Sequence, residues 1–506
     1  MYKRQLHDLF NEPSLVLLRE RGGGGVEWFF CSEAEREYPA PRTGRRELIE
    51  ELKLKLADQQ VQALGRGRPT EELLSRLLRY VTNRVVGRLE DREEGDWHSW
   101  CLTVPVWDLS ATSSEAPHYT QQVRITERAA KGVGAAEEIV ILPEPLAAAI
   151  GIVTDLQRER DLGLQAGDLV CVYDSGAGTL DITVVEIKGP QEMVVRAYLG
   201  EFKDGQGNDL AVAGKHFDRR LADHLVLTGR LGRYRHQDGR DRVYPAGAQP
   251  SEGDVEYDQL VRDMRIVKER LCSPRPGLAY GDRANYRQEY PGEGETDESS
   301  LAKLGVKLAL STIDEALAPP IGESMDLVNR MAQEQGLPLT RLKWVFLVGG
   351  SSLLPCMWDR AREHWGQQRV ILPRDAEEAV LAVARGAAKR RQIRLGHAAA
   401  RKLRAVHRQS GREWALWSED ALWPATQHAR LRPARGAAGV WELQVEHGPA
   451  WRRLATFSVP RVEGDNATAH LLVQASADGE LNVTVEFLGG PAGWHRALDE
   501  GMRLYV

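Results

Sequence analysis

The chain has 506 residues, 42% of them hydrophobic and 28% charged, enough for about two to four domains with substantial cores. Sixty-seven basic residues against 73 acidic ones leave a net charge of −6, the field of neither a nucleic-acid binder nor a membrane-surface protein. No apolar run reaches the roughly 18 residues that a membrane helix needs, and the opening MYKRQLHDLFNEPS has no signal-peptide core. Five scattered cysteines (Cys31, Cys101, Cys171, Cys272, Cys356), with no CxxC pair, argue against a disulfide framework or a zinc site and fit a reducing cytoplasm.

In chain order, Ser14–Leu18 and Val26–Cys31 read as short strands around the Gly22–Gly25 run. Residues 45–65 and 71–90 carry helical spacing of leucines. Trp100–Leu109 is a buried-type strand, 119–135 a helix, Glu137–Pro145 a strand into a turn, and Leu146–Val153 a helix again. After residue 187 a Gly-rich stretch runs into a helix at Lys215. Tyr234–Asp258 and Ser273–Ser299 read as polar loops around a charged helix, Gln259–Leu271. Leu301–Gln335 is mostly helical, with Pro319-Pro320 as the expected break. An apolar strand, Trp344–Gly350, precedes a Trp- and Arg-rich helix, and Ala376–Gln392 is a further helix. Alternating strands and helices predict a mixed α/β class. Beyond about residue 395 the pattern changes: a basic segment, 396–412, leads into short strands over 413–506, with Asp478-Gly479 as a hairpin turn.

The most informative segment is DLVCVYDSGAGTLDITVVEI (168–187). An apolar strand ends in Asp174, a Ser175-Gly176-Ala177-Gly178-Thr179 turn follows, and Asp181 stands near the start of the next strand. Glycines let backbone N–H groups wrap an anion, and carboxylates beside such a turn can hold a divalent cation through water. The residues alone equally allow an ordinary Gly-rich hairpin.

Three further motifs accompany it in a fixed order: LPEPLAAAIG (142–151), VAGKHFDRRLADHLV (212–226) and FLVGGSSLLP (346–355) followed by DAEEAV and ARGAA (375–388). Together with TVPVWD (103–108), this set resembles the ATPase domain of the heat-shock-70 (DnaK-type) chaperones. The resemblance covers residues from about 13 to 392. It implies a two-lobed actin-like (ribonuclease H-like) ATPase domain over residues 1–395. A basic linker at 396–412 and a β-rich domain at 413–506 would follow, the latter similar to part of the family's peptide-binding β-sandwich through 457–488. ATP and Mg2+ are the implied cofactors, protein or peptide clients the implied partners, with a J-domain co-chaperone as a further one; neither nucleic acid nor membrane is implied.

By position in the family's motifs, Asp174 is the magnesium-associated aspartate, acting through water. Gly176, Gly178 and Thr179 face phosphate oxygens. Asp181 orients water or metal, and Glu144 lies near the metal and the attacking water. Gly214 faces the phosphates, Gly349, Gly350 and Ser351 pass beneath the nucleoside, and Lys268 contacts it. Pro105 is the counterpart of a proline that couples the domains. Read without the resemblance, Glu144 can instead complement a helix N-terminus, Lys268 can be a solvated helix lysine, and Val348–Ser352 can be a helix-entry turn capped by serine.

Several positions depart from the family. Nothing resembling its opening Gly-Thr phosphate turn precedes Glu12–Glu20, so an uncovered sheet edge is expected. No counterpart of its helical lid is expected, and Lys53 or Lys55 is a candidate for its catalytic lysine. Ala177 replaces a turn glycine, at a cost of about 1 kcal/mol if φ there is positive. Leu353 replaces an adenine-stacking arginine, Arg265 an acidic residue and Cys272 a serine. Two functions are therefore expected: an ATP-binding chaperone that hydrolyses ATP to control a client, or a nucleotide-binding-deficient pseudo-ATPase serving as an interaction scaffold. A sugar-kinase-type enzyme is a third, disfavoured by the C-terminal module.

Overall fold

The computed structural model describes residues 16–20, 26–31, 33–34, 46–49, 52, 60–63, 66–89, 99–105, 116–134, 138–156, 162–200, 212–228, 230, 233–235, 241–243, 255–290, 308–334, 337, 341–398, 403–408, 410–417, 422–423, 425–431, 439–447, 450–459, 468–475, 480–488, 495–497 and 502–503. Lys53 and Lys55, the Gly22–Gly25 run, the acidic 293–299 segment and the Asp478-Gly479 turn lie outside the described residues.

The N-terminal third opens with three antiparallel strands, β1 (Val16–Glu20), β2 (Val26–Phe30) and β3 (Arg46–Ile49), in the order β2-β1-β3. A hairpin, β4 (Gln60–Ala63) with β5 (Arg66–Pro69), leads into helix α1 (Thr70–Leu89). Val16, Leu18 and Phe30 bury against Leu73, Leu74 and Leu77 of α1 and against Ile125 and Ala129 of α2 (Ala116–Val133). Strands β6 (Ser99–Val104) and β7 (Glu138–Pro143) are parallel, joined through α2. Among the described residues β6 pairs with β7 and with no other strand. The helical spacing at 45–65 misleads: its two ends form β3 and β4. Pairing of Ile49 with Val16 buries both, and this tertiary contact overrides the leucine pattern.

Helix α3 (Glu144–Gly151) follows β7 directly, with Pro143 at its N-cap and Pro145 in its first turn, where a missing N–H costs nothing. Next comes a meander, β8 (Leu169–Ser175), β9 (Leu180–Gly189) and β10 (Glu192–Gly200). Helices α4 (Gly214–Leu227) and α5 (Val255–Leu271) are separated by a short ribbon, β11 (Arg233–Arg235) with β12 (Asp241–Val243). Part of the expected 234–258 loop is therefore ordered backbone pairing, and α5 starts earlier than its charge pattern suggested. Past α5, β13 (Glu289–Tyr290) pairs with β14 (Leu308–Ala309), and α6 (Leu310–Glu334) follows. The expected break at Pro319-Pro320 does not occur. Each interior proline costs about 3 kcal/mol, but Ile313, Leu317, Ile321, Met325 and Val328 are all fully buried on one stripe of α6. Each such side chain returns about 1.5–3 kcal/mol.

Strand β15 (Leu342–Val348), helix α7 (Pro355–Trp365), β16 (Val370–Ile371), α8 (Ala376–Ala388) and β17 (Arg394–Ala398) complete this part. With β20 (Leu422–Trp423), they make a seven-stranded mixed sheet in the order β16-β15-β8-β9-β10-β17-β20. Its central strands are apolar on both faces, as strands covered by helices on both sides require. Leu169, Cys171 and Tyr173 of β8 face α4, α5, α6 and α7, whereas Val170 and Val172 face α3 and α8. The α3–α8 crossing is tight. A Cβ on Gly386 would stand 2.6 Å from the Ala147 carbonyl carbon, and one on Gly151 would stand 2.8 Å from the Ala382 oxygen.

The basic stretch at 396–412 is built into two sheets. Its beginning belongs to β17, parallel to β10, and residues 403–407 form β18, whose alternating Leu403, Ala405 and His407 suit a pleated surface. Strand β18 lies between β19 (Glu413–Trp417) and β22 (Gly439–His447), and β23 (Ala450–Val459) pairs with β22. A second antiparallel sheet holds β21 (Ala425–Leu431), β24 (Thr468–Ala475), β25 (Glu480–Leu488) and β26 (His495–Ala497), with β27 (Met502–Arg503) on β25.

Candidate functional site

Strand β8 enters the sheet centre and carries Asp174 as its last residue but one; Asp181, the second residue of β9, stands directly opposite in the antiparallel register. Both carboxylates are buried, 5% and 1% exposed. Like charges facing across a pair oppose each other unless donors, a proton or a cation compensates. The turn between them, 176–179, is closed by the Gly176 N–H donating to the Thr179 carbonyl at 2.9 Å.

The orientation of that turn is fixed from behind. The Gly176 carbonyl accepts from the Gly214 N–H at 3.0 Å and from the Ser351 hydroxyl at 3.0 Å. The Ala177 carbonyl accepts from the Lys215 N–H at 2.9 Å. In a trans peptide the N–H points opposite to its carbonyl. The N–H groups of Ala177 and Gly178 are therefore aimed away from α4, outward from the hairpin, as two consecutive donors. Such a pair suits an anion such as phosphate. Ala177 is exposed, and its φ is not positive, so the strain considered above does not arise.

Gly349 and Gly350 differ. Gly349 has φ 82° and ψ 158°, a region essentially reserved for glycine. A Cβ there would lie 2.6 Å from the Asp174 Oδ1. Its N–H donates to the Ala379 carbonyl at 2.9 Å, tying β15 to α8. Gly350 faces open space, with no atom within 4 Å of a Cβ built on it. A flat ligand can approach at Gly350; Gly349 instead packs on the Asp174 strand end.

Lys268 is buried, 8% exposed, on the inner face of α5. Its Nζ donates to the Gly214 carbonyl at 2.9 Å and pairs with Asp218 at 2.6 Å. Burial pushes the Asp218 carboxyl above the ordinary aspartate range, and the Lys268 charge works against that push. Glu144 comes from α3, which packs along β8 and β9; it is half-buried in that helix's first turn, where a carboxylate suits the helix dipole. Leu353 ends the short 3-10 turn after Gly349, and the Cys272 thiol is pushed up to about 12 by burial.

Thus Asp174, Asp181, Gly176, Gly178, Thr179, Gly214, Lys268, Gly349 and Ser351 gather around one hairpin through strand register, hydrogen bonds or close approach. Asp218 is a member that sequence reasoning missed. Its signal is a carboxylate on the apolar Phe217, Leu221, Leu225 stripe of α4, matched by a lysine among Met264, Val267 and Leu271. Among the described residues no group of three or more His, Cys, Asp or Glu could hold a metal by itself.

The site thus lies in a mixed α/β protein, on a hairpin at the end of the central strands whose two outward amides suit an anion. Comparison with characterised proteins adds a distant relationship to chaperones. The chain is 25% identical over 438 residues to the chaperone protein HscA homolog of Methylococcus capsulatus, covering 83% of this chain and 59% of that protein. It is 26% identical over 217 residues to the HscA homolog of Pseudomonas aeruginosa, covering 42% of this chain and 26% of the relative. To the chaperone protein DnaK of Burkholderia cenocepacia it is 22% identical over 259 residues, covering 51% of this chain and 34% of the relative. The chain thus spans less than two thirds of each of these relatives. No protein-family profile matches it. No described helix is long and apolar enough to cross a membrane.

Proposed function

We propose that the chain is an ATP-binding, heat-shock-70-like chaperone component whose nucleotide cleft is built around the 174–181 hairpin. The observation carrying this reading is the pair of outward N–H groups at Ala177 and Gly178, set between two buried carboxylates by the Gly214, Lys215 and Ser351 donors. The distant HscA and DnaK relatives support an actin-like ATPase fold for the part spanned by the motifs.

The residues fit a magnesium nucleotide at its phosphate end. Gly176, Gly178 and Thr179 would surround the phosphates with Gly214 holding the turn from behind, Asp174 and Asp181 would hold the hydrated cation, and Gly350 leaves room for the nucleoside. The cation would supply charge neutralisation for phosphoryl transfer to water. Glu144, at the head of α3, is the candidate for orienting that water. Binding of a protein or peptide segment falls to the β-rich part, 413–506, with a J-domain co-chaperone as a further partner, in the cytoplasm. The domain division at 395 and 412 belongs to the same proposal.

A specific observation favours the second reading, a nucleotide-binding-deficient pseudo-ATPase that serves as an interaction scaffold. Lys268, which the resemblance assigns to the nucleoside, directs two of its three donors to Gly214 and Asp218, and Leu353 offers no cation to an adenine. Calorimetric titration with Mg-ATP separates the two. The chaperone reading expects saturable heat, lost in Asp174→Asn and in Gly350→Trp. Absence of heat with folded wild-type protein at high concentration would leave the scaffold reading in its place.

A further inference from the structure

Lys268 sits one helix away from the hairpin tip, yet a continuous chain of peptide dipoles joins them. Its Nζ donates to the Gly214 carbonyl at 2.9 Å. That carbonyl and the Lys215 N–H belong to one peptide unit, and the Lys215 N–H donates to the Ala177 carbonyl at 2.9 Å. The Ala177 carbonyl in turn shares a peptide unit with the Gly178 N–H. Because each trans peptide opposes its carbonyl and N–H, the positive end of the whole relay emerges at Gly178, facing outward. Hydrogen bonds in series polarise one another, and the effect is larger away from water.

The lysine is fixed for this task. It is 8% exposed and its second partner, Asp218 at 2.6 Å, is itself 4% exposed. The aspartate lies one turn beyond Gly214 on α4, so the ion pair and the carbonyl contact clamp the same helix N-terminus. A flexible ammonium held at two buried points defines where Gly214 stands, and through Gly214 and Lys215 it defines the tilt of the 176–178 backbone.

We propose that Lys268 is a positioning residue for phosphate: acting through the Gly214–Lys215 and Ala177–Gly178 peptides, it orients and strengthens the Gly178 N–H as an anion donor, and does not touch the nucleoside. The inference rests on the hairpin being the phosphate site. It assigns Asp218 as the anchor of that lysine, and it explains why a lysine can be retained on a buried helix face where no ligand atom need reach it.

The experiment compares the wild type with Lys268→Met and Lys268→Arg in the full chain, using two readouts. The first, without ligand, is amide hydrogen exchange of the peptides covering 174–181 and 212–217. Loss of a charged hydrogen bond to the Gly214 carbonyl is expected to speed exchange of the hydrogen-bonded Gly176, Gly214 and Lys215 amides about tenfold in Lys268→Met, with partial restoration in Lys268→Arg. The second is calorimetric affinity for Mg-ATP and for adenosine. Mg-ATP is expected to weaken about tenfold while adenosine changes less than about threefold. Unchanged exchange at the Gly176, Gly214 and Lys215 amides overturns the proposal, as does an equal loss for ATP and adenosine, which would place the lysine on the nucleoside. If Lys268→Met fails to fold because Asp218 is left buried and unpaired, Asp218→Asn/Lys268→Met removes both charges and gives the same expectations. A wild type that binds no nucleotide would sink the functional reading alone, since the exchange readout still decides the role of Lys268.

Discussion

Gly349 and Gly350 are adjacent, and their substitution by alanine separates what the backbone needs from what a ligand needs. At Gly349, φ 82° and ψ 158° lie where an L side chain is strained by about 1–3 kcal/mol. A Cβ would also fall 2.6 Å from the Asp174 carboxylate oxygen and 2.6 Å from the Ser175 carbonyl carbon, both in a buried strand end. Neither neighbour is the end of a flexible chain, so overpacking adds about 1–3 kcal/mol. Together Gly349→Ala should lose about 2–6 kcal/mol. At Gly350 no atom lies within 4 Å of the added Cβ and φ is not positive. Gly350→Ala should therefore stay within about 0.5 kcal/mol of the wild type, while Gly350→Trp removes nucleotide binding without unfolding the chain. Urea unfolding followed by tryptophan fluorescence reads both alanine variants. A Gly349→Ala protein within about 1 kcal/mol of the wild type would refute the geometry assigned to this turn and, with it, the placement of Asp174.

Other outcomes follow from the packing. Gly386→Val must separate α3 from α8, because even a Cβ there would meet the Ala147 carbonyl carbon at 2.6 Å; expected is a loss of about 3 kcal/mol or more, visible as a lowered urea midpoint or failure to accumulate, and wild-type stability would contradict the crossing. Glu186 is buried, which works to raise its pKa, but hydrogen bonds from Lys188 and Arg196 outweigh this and hold it below its ordinary value. A depressed folded pKa gives stability that is present above the unfolded value, near 4.5, and lost as pH falls through the folded one. Glu186→Gln should therefore flatten the stability–pH curve below about pH 4.5, and an unchanged slope there would count against the pairing. Burial pushes the Cys171 and Cys272 thiols up to about 12 and the Cys356 thiol well above its ordinary value. A native-state thiol reagent should spare these three and reach half-buried Cys101 first; rapid labelling of Cys171 in folded protein would be inconsistent with a sheet covered on both faces.

How much of this was readable beforehand depends on the range of the interaction that decides each element. The 168–187 hairpin is decided locally: a continuous apolar strand, a glycine turn and a second apolar strand can form nothing else once both faces are covered. Helices α1, α2, α4 and α8 follow their apolar stripes for the same reason. The segment at 45–65 was misread because Ile49 is placed by its pairing with Val16, more than thirty residues earlier in sequence, and no local periodicity encodes that. Pro319-Pro320 was misread because the local rule omits the buried stripe that offsets it. Basic residues at 394–407 disguised two strands whose alternate positions carry Leu395, Ala405 and His407 inward. In the site, residue types pointed to the hairpin and its carboxylates. The roles of Gly349, Ser351 and Lys268 became distinct only through φ, a 3.0 Å hydrogen bond and a buried ion pair joining α4 to α5.

The central claim is that the outward amides of this hairpin receive phosphate. Hydrogen exchange of the peptide covering 174–181, measured on the full chain with and without saturating Mg-ATP, tests it at the atoms concerned. The account predicts that exchange at Ala177, Gly178 and Thr179 slows when Mg-ATP is added and is little changed by adenosine. Exchange at those amides that is indifferent to Mg-ATP, in protein shown to be folded, would contradict it.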